Sequence, residues 1–497
     1  MNVPAAQAEV AALLRRLAGA DPVETHISAV FVGPDTAWKL KKAVALGFLD
    51  FSTLAAREHF LRRELEINYP AAPTLYRDVV PVVRAGDGGL ALGGPGEPVD
   101  WVLRMAPVPP GDFLDAVAAR GGLDAALLDA IADAAHGLHA ALPPVPGVDA
   151  PAAMLRVLEG NAAAALAAGL PGPRLRALAE ATRGWIARLA PWLAGRAAAG
   201  RVRRCHGDLH LGNLCLLAGR VTPFDALEFD EALATIDTGY DLAFLLMDLD
   251  HRVGRAAANR VLNRYVARSG DAGLVAGLPL WLSLRAMIRA HAVAKAKGPA
   301  QGLPYLDRAE AMLAPPPPSL VAVGGLQGTG KSRLARALAP ALGAAPGALV
   351  LRSDEIRKRQ AGLAPEQRLP AEAYTPAASE AVLAELGSLA AAALRVGHAV
   401  IADAAFLRPA ERAAIEAARG DAPFQGLWLE APLAVLRARV TARRGDASDA
   451  DAAVLEAAAA RDPGPIAWIR LDASGEPVPA ARHSLGFNPL GLNRGDP

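Results

Sequence analysis

The chain has 497 residues, 52% of them apolar, and its 52 basic and 51 acidic residues nearly cancel. This length predicts two or three domains. The balanced charge gives no reason to expect a nucleic-acid partner, and two cysteines, Cys205 and Cys215, are too few for a disulfide framework. Because no run of eighteen uncharged apolar residues exists and the N-terminus lacks the order of a signal peptide, we expect no membrane span and a cytoplasmic protein.

The first hundred residues predict a small sheet and one long helix. Apolar residues alternate around Gly33-Pro34-Asp35, which predicts a β-hairpin whose second strand carries Lys39 and Lys41 on one face. Ser52-Thr53 is a typical start for a helix, and the following pattern continues to Asn68. A second hairpin and a further strand follow, and the chain from 114 to 200 is rich in Ala and Leu, which predicts helices.

The segment CHGDLHLGN, at 205–213, carries the most informative pattern of the chain. His206-Gly207-Asp208 is followed after four residues by Asn213, the H-x-D-x-x-x-x-N spacing of catalytic loops that transfer phosphoryl groups. His206 and His210 also have a spacing that zinc ligands use on a helix, but the glycines between and after them disfavour a helix and no third ligand follows.

Apolar residues on both sides of a turn near Gly219 predict a hairpin that brings Asn213 beside Asp225. Amide and carboxylate oxygens are the ligands that Mg²⁺ prefers, so Asn213 and Asp225 are candidates to hold the metal of Mg-ATP. Asp208 is the candidate to orient or deprotonate an attacking hydroxyl.

The sequence HGDLHLGN followed by PFDALEF resembles the aminoglycoside phosphotransferase family and its choline-kinase-like relatives, above all a bacterial group in which such a domain is fused to a P-loop kinase domain. The resemblance implies a protein-kinase-like fold in which Lys39 or Lys41 contacts the nucleotide phosphates; we slightly prefer Lys41. Glu64, rather than Glu58, is then the partner of that lysine. Asp241 is implied to brace the catalytic loop through its backbone, although a simple helix cap is an alternative.

Two features of this region leave questions open. The Gly-rich loop expected over the phosphates is replaced by Thr25-His26-Ile27-Ser28, which leaves the choice between ATP and GTP undecided. Arg285 and Arg289 lie one turn apart on a predicted helix; they could hold an anionic substrate, but a solvated face is the more frequent explanation.

A second motif follows a proline-rich linker, APPPPS. An apolar strand runs into Gly325-x-x-x-x-Gly330-Lys331-Ser332 and then into an amphipathic helix, which is the context of a P-loop. Glycine amides cradle phosphates there, the lysine reaches the β and γ oxygens, and the hydroxyl binds Mg²⁺. The predicted nucleotide-binding residues are Gly325, Gln327, Gly328, Thr329, Gly330, Lys331 and Ser332.

Short strands and helices alternate after the P-loop, which predicts a five-stranded parallel sheet flanked by helices. This region resembles small P-loop kinases of the nucleotide- and gluconate-kinase type. The resemblance implies that Asp354 faces the phosphoryl acceptor, that Arg357 could bind an anionic substrate, and that Asp403 supports Mg²⁺. Arg439 and Arg443 lie where catalytic lid arginines of such kinases sit, or they decorate a surface helix.

The sequence therefore predicts an α+β protein-kinase-like two-lobe domain (1–313), a proline linker (314–319), an α/β P-loop kinase domain (320–476) and an irregular tail (477–497). The expected function is an ATP-dependent phosphotransferase with two sites, each using Mg²⁺ and a small molecule with a hydroxyl group. One alternative is a nucleotide-gated regulatory or binding protein in which only the P-loop domain turns over ATP. Another is a P-loop domain that acts as an NTPase switch. The acceptors and the oligomeric state are left open.

Overall fold

The computed structural model describes residues 3–46, 49–86, 88–370, 373–442 and 447–486. The chain divides into two compact units: Met1–Ala153 with Trp192–Leu245, and Met154–Pro191 with Leu246–Pro497. The predicted domain boundary at 314–319 is not tested by this division and stays a prediction.

The strands are, in chain order, β1 (Val23–Glu24), β2 (Ser28–Val32), β3 (Ala37–Lys41), β4 (Ala45–Leu46), β5 (Leu49–Asp50), β6 (Tyr76–Arg84), β7 (Leu90–Leu92), β8 (Glu97–Met105), β9 (Val202–Arg204), β10 (Leu214–Leu217), β11 (Arg220–Pro223), β12 (Thr235–Asp237), β13 (Leu320–Gly325), β14 (Leu349–Arg352), β15 (Val400–Asp403), β16 (Phe424–Glu430) and β17 (Ile469–Asp472).

The α-helices are α1 (Ala8–Ala18), α2 (Leu54–Asn68), α3 (Leu114–Ala119), α4 (Ala125–Ala141), α5 (Ala150–Ala167), α6 (Gly172–Ala198), α7 (Glu231–Ala234), α8 (Thr238–Arg252), α9 (Arg255–Ser269), α10 (Leu278–Lys297), α11 (Pro299–Met312), α12 (Lys331–Leu338), α13 (Ser353–Gln360), α14 (Pro376–Arg395), α15 (Pro409–Ala417), α16 (Leu433–Ala442), α17 (Ala452–Ala459) and α18 (Val478–Ser484).

The first unit contains an antiparallel sheet in the order β1-β2-β3-β8-β6-β7. Helix α1 packs on one face, where Leu14, Phe31 and Leu40 are fully buried. Leu61 of helix α2 and Leu103 of β8 are fully buried in a second cluster. Burial of such side chains is the main favourable term in folding, so the sheet and α2 form a fixed platform for the polar residues they carry.

Helix α2 starts as predicted. Thr53 is the N-cap residue, and its side chain accepts a hydrogen bond from the backbone N–H of Ala56. Its last helical residue is Asn68, as the pattern predicts.

The hairpin predicted around Gly219 is present. Strands β10 and β11 pair antiparallel, with Leu214 opposite Pro223 and Leu217 opposite Arg220. The two turn residues have positive φ, 48° at Ala218 and 75° at Gly219, as in a type I′ turn that matches the twist of the strands. Pro223 is the last residue of its strand, a position where its missing N–H is tolerated.

The second unit contains the predicted five-stranded parallel sheet, in the order β14-β15-β13-β16-β17. Its core includes Val323, Leu334, Ile401 and Leu427, all fully buried. Parallel strands inside a sheet read as continuous apolar runs, which is why the sequence predicts β13, β14 and β15, all of whose residues are buried.

The C-terminal segment differs from the prediction. Residues 478–484 form helix α18 where the composition predicted irregular chain. A proline in the first turn is compatible with a helix start, and Ala481 is fully buried in the core of the five-stranded sheet. Tertiary burial therefore stabilises a helix that the Pro- and Gly-rich composition does not predict.

Within the part of the chain that the structure describes, two helical stretches are long and apolar enough to cross a membrane by length and composition alone. The first is Ala272–Lys297, whose most apolar 18-residue window is 83% buried inside the protein. The second is Pro376–Arg395, whose most apolar window is 28% buried. In the second stretch Val382, Leu386 and Ala390 are buried within the unit. Length and composition are therefore weak grounds for a membrane span.

Candidate active sites

Strand β3 and helix α2 bring the two predicted lysines to one carboxylate. Lys39 Nζ lies 2.6 Å from Glu64 Oε1, and Lys41 Nζ lies 2.9 Å from Glu64 Oε2. The two lysines share a face because side chains alternate along a strand. Glu58, the less favoured candidate, instead pairs with Arg62 on the surface.

The two lysines differ in their second partner and in their exposure. Lys39 Nζ also lies 2.5 Å from Asp225 Oδ1, and its side chain is 11% exposed. Lys41 Nζ lies 2.5 Å from Glu228 Oε1, and its side chain is completely buried. The sequence slightly favours Lys41 as the phosphate ligand. The geometry instead places Lys39 next to the predicted metal ligand and leaves Lys41 inside the fold.

Each charged group in this cluster shifts the pKa of its neighbours. Burial alone would lower the pKa of Lys39, but the Asp225 and Glu64 carboxylates raise that pKa well above its usual value. Burial likewise acts to raise the pKa of Asp225, but Lys39 outweighs it and the pKa is lowered. Burial raises the pKa of Glu228, although Lys41 opposes the shift. Lys39 and Asp225 are therefore a fully charged pair at neutral pH.

The catalytic-loop candidates lie together. Asn213 Nδ2 donates to the backbone carbonyl of Asp208 at 2.9 Å and to its Oδ2 at 3.0 Å. His210 Nε2 lies 3.5 Å from the same Oδ2, and the Asp208 side chain remains 41% exposed. The carboxylate is thus held in one orientation while it keeps access to solvent, as a group that meets a substrate hydroxyl requires.

Asp241, at the start of α8, fixes the backbone of the catalytic loop. Its Oδ2 accepts a hydrogen bond from the N–H of His206 at 3.1 Å, and its Oδ1 accepts one from the N–H of Gly207 at 2.9 Å. His139 Nε2 lies 3.0 Å from Oδ2. The contacts are those that the family resemblance implies for Asp241, and they go beyond a helix cap.

His206 is a structural part of the loop. Its Nε2 lies 2.9 Å from the carbonyl oxygen of Phe224, which links the catalytic loop to the end of β11. Burial lowers the pKa of His206. The ring is therefore neutral at physiological pH and donates through Nε2–H.

The backbone at Asp225 is held in an uncommon conformation, with φ at +60°. Its N–H donates to the hydroxyl of Tyr76 at 2.9 Å, and the next N–H, of Ala226, donates to Asn68 Oδ1 at 2.9 Å. The N–H of Phe224 donates to the carbonyl of Asn213 at 3.1 Å. Both predicted metal ligands therefore sit at the open end of one hairpin, with their backbones fixed.

A polar turn replaces the Gly-rich loop between β1 and β2. Thr25 Oγ1 accepts a hydrogen bond from the N–H of Ser28 at 3.0 Å. Lys42, directly after β3, donates to the Thr25 carbonyl at 2.7 Å and pairs with Glu24 at 2.7 Å. The turn is therefore tied to the end of the lysine strand.

The P-loop of the second unit needs glycine at two of its positions for space as well as for conformation. Gly325 has φ +131°, and a Cβ there would lie 2.4 Å from the carbonyl oxygen of Leu429. Gly328 has φ +85°, and a Cβ there would lie 2.8 Å from the carbonyl oxygen of Leu436. Gly330, with φ +89°, precedes helix α12. Such a loop at a helix start presents N–H groups to an anion.

The polar residues around the P-loop converge at the C-terminal edge of the sheet. Ser332 Oγ donates to Asp403 Oδ2 at 2.5 Å. Arg352, the last residue of β14, lies 3.1 Å from Ser332 Oγ and 3.3 Å from Asp403 Oδ2 through its Nε. Lys331 Nζ donates to the carbonyls of Gly325 and Leu326, both at 2.9 Å. The hydroxyl and the carboxylate are hard oxygen groups of the kind that Mg²⁺ binds in proteins.

Asp354 and Arg357 lie on helix α13, which starts directly after β14. Burial raises the pKa of Asp354, and Asp403 adds to the rise while Arg352 opposes it. Arg357 donates to Ser379 Oγ at 3.2 Å, and its guanidinium lies 5.0 Å from the centre of the Tyr374 ring. Asp354 is thus next to the charges around the P-loop, and Arg357 is one helical turn away.

Arg439 lies beside the P-loop. Its guanidinium donates to the carbonyls of Ala473 at 2.7 Å and Ser474 at 2.8 Å. Together with Gly328 and Thr329 it lines a small pocket. Arg443 lies outside the described residues. The predicted role of both arginines at a lid stays a prediction.

Of the two explanations given for Arg285 and Arg289, the more frequent one, a solvated face, does not hold, because Arg285 is 3% exposed and Arg289 is partly buried. The helix α10 that carries them is apolar nearly all round and lies inside its unit, so position on a helix alone does not indicate exposure.

Sequence reasoning missed several residues that shape the two sites. Glu228 has the clearest signal, because it follows Asp225 by three residues in the segment PFDALEF. The others contact the sites only through the fold and have no local signal: Asn68, Tyr76, His139 and Arg352.

Two protein families match separate parts of the chain. Residues 54–278 match the phosphotransferase enzyme family, and residues 320–464 match the AAA domain. Residues 54–278 are therefore similar to a phosphotransferase domain, and residues 320–464, which follow, are similar to an AAA domain. Its kinase-like first part and its five-stranded parallel sheet confirm the predicted fold class.

Relatives match nearly the whole chain. An uncharacterized protein of Mycobacterium tuberculosis (strain H37Rv) and one of Mycobacterium bovis are each 29% identical over 473 residues, which cover 92% of this chain and 92% of theirs.

Solved structures resemble separate parts of the chain. A gluconokinase from Sinorhizobium meliloti is 22% identical with a TM-score of 0.25, and the match covers 34% of this chain and 91% of that one. An aminoglycoside phosphotransferase in complex with GDP and kanamycin is 14% identical with a TM-score of 0.37, covering 59% and 92%. A choline/ethanolamine kinase family protein from Mesorhizobium loti is 12% identical with a TM-score of 0.37, covering 62% and 95%.

Proposed function

We propose, since the chain joins a phosphotransferase domain to a P-loop kinase-like domain, that it is an ATP-dependent phosphotransferase with two active sites. Each site transfers the γ-phosphoryl group of ATP to a hydroxyl group of a small molecule. The observation that carries the proposal is the position of Lys39, whose Nζ lies 2.6 Å from Glu64 and 2.5 Å from Asp225, a residue 186 positions away in the chain. Kinase chemistry requires a strand lysine paired with a helix glutamate, and an aspartate that binds Mg²⁺ close to the phosphates. The contacts of Lys39 with Glu64 and Asp225 support this arrangement.

In the first site, Asp208 meets the acceptor hydroxyl. The hydroxyl oxygen forms a bond to the γ-phosphorus, the bond from that phosphorus to the bridging oxygen of ADP breaks, and the hydroxyl proton passes to the Asp208 carboxylate. The hydrogen bond from Asn213 holds that carboxylate in place. Because phosphoryl transfer asks the protein mainly for positioning and charge stabilisation, this fixed loop supplies much of what is needed.

The residues present fit a Mg²⁺ ion at both sites. Asp225 is ionised, since its pKa is held low by Lys39 against the effect of burial, and its neighbour Asn213 offers an amide oxygen. In the second site Ser332 and Asp403 lie 2.5 Å apart and offer a hydroxyl and a carboxylate. When bound, Mg²⁺ neutralises negative charge on the β and γ phosphates.

Lys39 is the phosphate ligand of the first site in this proposal. Its side chain keeps some exposure, and its present partner Asp225 is the residue that would bind the metal. Lys41 is fully enclosed by Glu64 and Glu228, so it keeps Glu64 in place and does not itself meet the nucleotide.

In the second site, Lys331 leaves the P-loop carbonyls that it contacts in this structure and binds the β and γ phosphates. Asp354 orients the acceptor hydroxyl. Its pKa is raised by burial, which makes the carboxylate a better proton acceptor than an exposed aspartate.

The test is phosphate transfer from ATP to a pooled library of sugars, amino alcohols, nucleosides and aminoglycosides, with products identified by mass spectrometry. The full chain is compared with Asp208→Asn and with Lys331→Met. We expect each variant to lose a different phosphorylated product, because each removes a group from one site only. Arg437→Gln, which breaks an exposed ion pair with Glu456, is the matched control and should keep both products.

The outcome also separates the alternatives. Loss of every product in Lys331→Met, with none lost in Asp208→Asn, would leave the first domain as a nucleotide-binding module without turnover. Full-rate ATP hydrolysis without any acceptor, abolished by Lys331→Met, would indicate an NTPase in place of a second kinase.

A further inference from the structure

Helix α9 lies against β14, which is the last strand at one end of the five-stranded sheet. Asn263 Oδ1 accepts a hydrogen bond from the N–H of Val350 at 2.7 Å, and its Nδ2 lies 3.2 Å from the carbonyl of Ala348. Asn259 Nδ2 donates to the same carbonyl at 3.0 Å. An end strand presents unpaired backbone groups on its outer side, and here side chains of α9 bind them as a neighbouring strand would.

Helix α9 also forms ion pairs with Glu366, which lies in the chain after α13. Arg264 Nη1 pairs with Glu366 Oε1, and Arg268 Nη1 lies 3.0 Å from Glu366 Oε2. Both arginines are about four-fifths buried, with side chains 19% and 20% exposed. Burial would raise the pKa of Glu366, but the hydrogen bond and charge of Arg264 lower it, so the carboxylate is ionised and bridges the two arginines.

The two points of attachment enclose the helix that carries the candidate acceptor residues. Strand β14 leads directly into α13, which bears Asp354 and Arg357, and the chain then reaches Glu366 six residues after the helix ends. The end of α9 also lies close to α13. If Gly270, directly after α9, carried a Cβ, that atom would lie 2.8 Å from Arg359 Cδ of α13. Both ends of the segment from 349 to 366 are therefore attached to α9.

We propose that α9 contributes to the active site that contains the P-loop. Its residues Asn263, Arg264 and Arg268 are positioning residues for the acceptor side of that active site. The inference rests on the second activity proposed above. The segment 255–269 lies within the stretch that matches the phosphotransferase family, yet it belongs to the same compact unit as the five-stranded sheet, and its polar side chains bind that sheet. The P-loop itself starts from β13 in the middle of the sheet. Strand β14 reaches the P-loop through Arg352, which lies 3.1 Å from Ser332 Oγ, but it leads directly into the helix that carries Asp354, so we expect α9 to act mainly on the acceptor end of the site.

The contacts of α9 affect catalysis through the position of Asp354. Reacting groups must be held to within a fraction of an ångström, and a displacement of about 1 Å can cost about 100-fold in rate. Loss of the α9 contacts would release β14 and α13 at their outer side, and with them Asp354.

The experiment uses the full chain with Asp208→Asn as background, so that only the second site turns over. Asn263→Leu keeps nearly the same shape and removes the hydrogen bonds to Val350 and Ala348. We expect transfer to the pooled hydroxyl library to fall about tenfold, with ATP hydrolysis in the absence of the pool within about threefold of the background. Hydrogen exchange of the peptide 349–360 should accelerate about tenfold, while Mg-ADP still protects the peptide 325–338.

A second variant keeps the test decisive if Asn263→Leu does not fold. Glu366→Gln weakens only the partly exposed ion pairs, and it should accelerate exchange in 353–370 and lower transfer in the same direction. Arg437→Gln is the matched surface control and should change neither.

Two results would overturn the inference: unchanged exchange in 349–360 for both variants, or equal acceleration in 349–360 and 325–338, which indicates loosening of the whole domain. The failure of the proposed activity is a separate result. If Lys331→Met leaves ATP turnover unchanged while exchange in 349–360 behaves as expected, the attachment stands and the second kinase site does not.

Discussion

The lysine strand allows two nearly identical substitutions with opposite consequences. Lys39→Met removes a partly exposed ammonium group whose partners are Glu64 and Asp225, and Asp225 is 40% exposed. Lys41→Met removes a completely buried ammonium group and leaves Glu64 and Glu228, which are 0% and 5% exposed, without it. Removal of one member of a buried ion pair costs about 3–5 kcal/mol, because the other charge stays buried.

We therefore expect Lys41→Met to lower the free energy of unfolding by about 3 kcal/mol, and Lys39→Met by about 1 kcal/mol or less. The order reverses for catalysis. A charge-assisted hydrogen bond contributes about 1.5–3 kcal/mol, so Lys39→Met should lower kcat/KM for ATP at the first site by about 10- to 150-fold.

The stability loss of Lys41→Met should depend on pH. Lys41 opposes the rise in the pKa of Glu228 that burial causes, so without the lysine that pKa rises further. A carboxyl whose folded pKa lies above its unfolded value binds its proton more strongly in the folded state, and its destabilising effect grows as pH rises between the two values. The deficit of Lys41→Met relative to the natural chain should therefore be smaller at pH 5.5 than at pH 7.5.

The assay is urea denaturation at both pH values combined with ATP kinetics, each measured in a Lys331→Met background. Arg437→Gln again provides a surface charge control. If Lys41→Met lost activity with no loss of stability while Lys39→Met behaved in the opposite way, the assignment of the two lysines would be reversed.

Three further predictions concern other parts of the molecule. Gly325→Ala should lower the free energy of unfolding by about 2 kcal/mol or more in thermal denaturation, because its Cβ would lie 2.4 Å from the Leu429 carbonyl oxygen. Ser332→Ala and Asp403→Asn should each raise the Mg²⁺ concentration needed for half-maximal turnover at the second site. A Mg²⁺ requirement equal to that of the natural chain would contradict their role as metal ligands. Burial raises the pKa of Cys215 to about 12, so its thiol should react with a disulfide reagent only as fast as the native protein opens, and fast labelling in native buffer would refute this.

The sequence predicts those features that depend on local spacing. The hairpin between Asn213 and Asp225 follows from a turn between two apolar runs. The register fixed by that turn sets Leu214 opposite Pro223, so both residues lie at the open end of the hairpin. The common face of Lys39 and Lys41 follows from the alternation of side chains along a strand. The P-loop is recognisable because strand, glycines and helix are consecutive in the chain.

The features that the sequence does not predict depend on contacts between distant segments. Lys41 and Glu228 are 187 residues apart, and no local pattern indicates which lysine faces Glu228 and which faces Asp225. The same is true of Asn263, whose side chain binds β14 at a separation of 87 residues. Arg285 shows the converse, since a helical stripe of arginines looks solvated until packing buries it. Burial is a property of the whole fold, so tertiary packing decides these cases.

The most direct test of the central claim is the number of nucleotides that one chain binds. Isothermal titration of the full chain with Mg²⁺ and a non-hydrolysable ATP analogue should give two sites per chain, one lost in Lys39→Met and the other in Lys331→Met. A stoichiometry of one, abolished by Lys331→Met and unaffected by Lys39→Met, would contradict a chain with two nucleotide-dependent phosphotransferase sites.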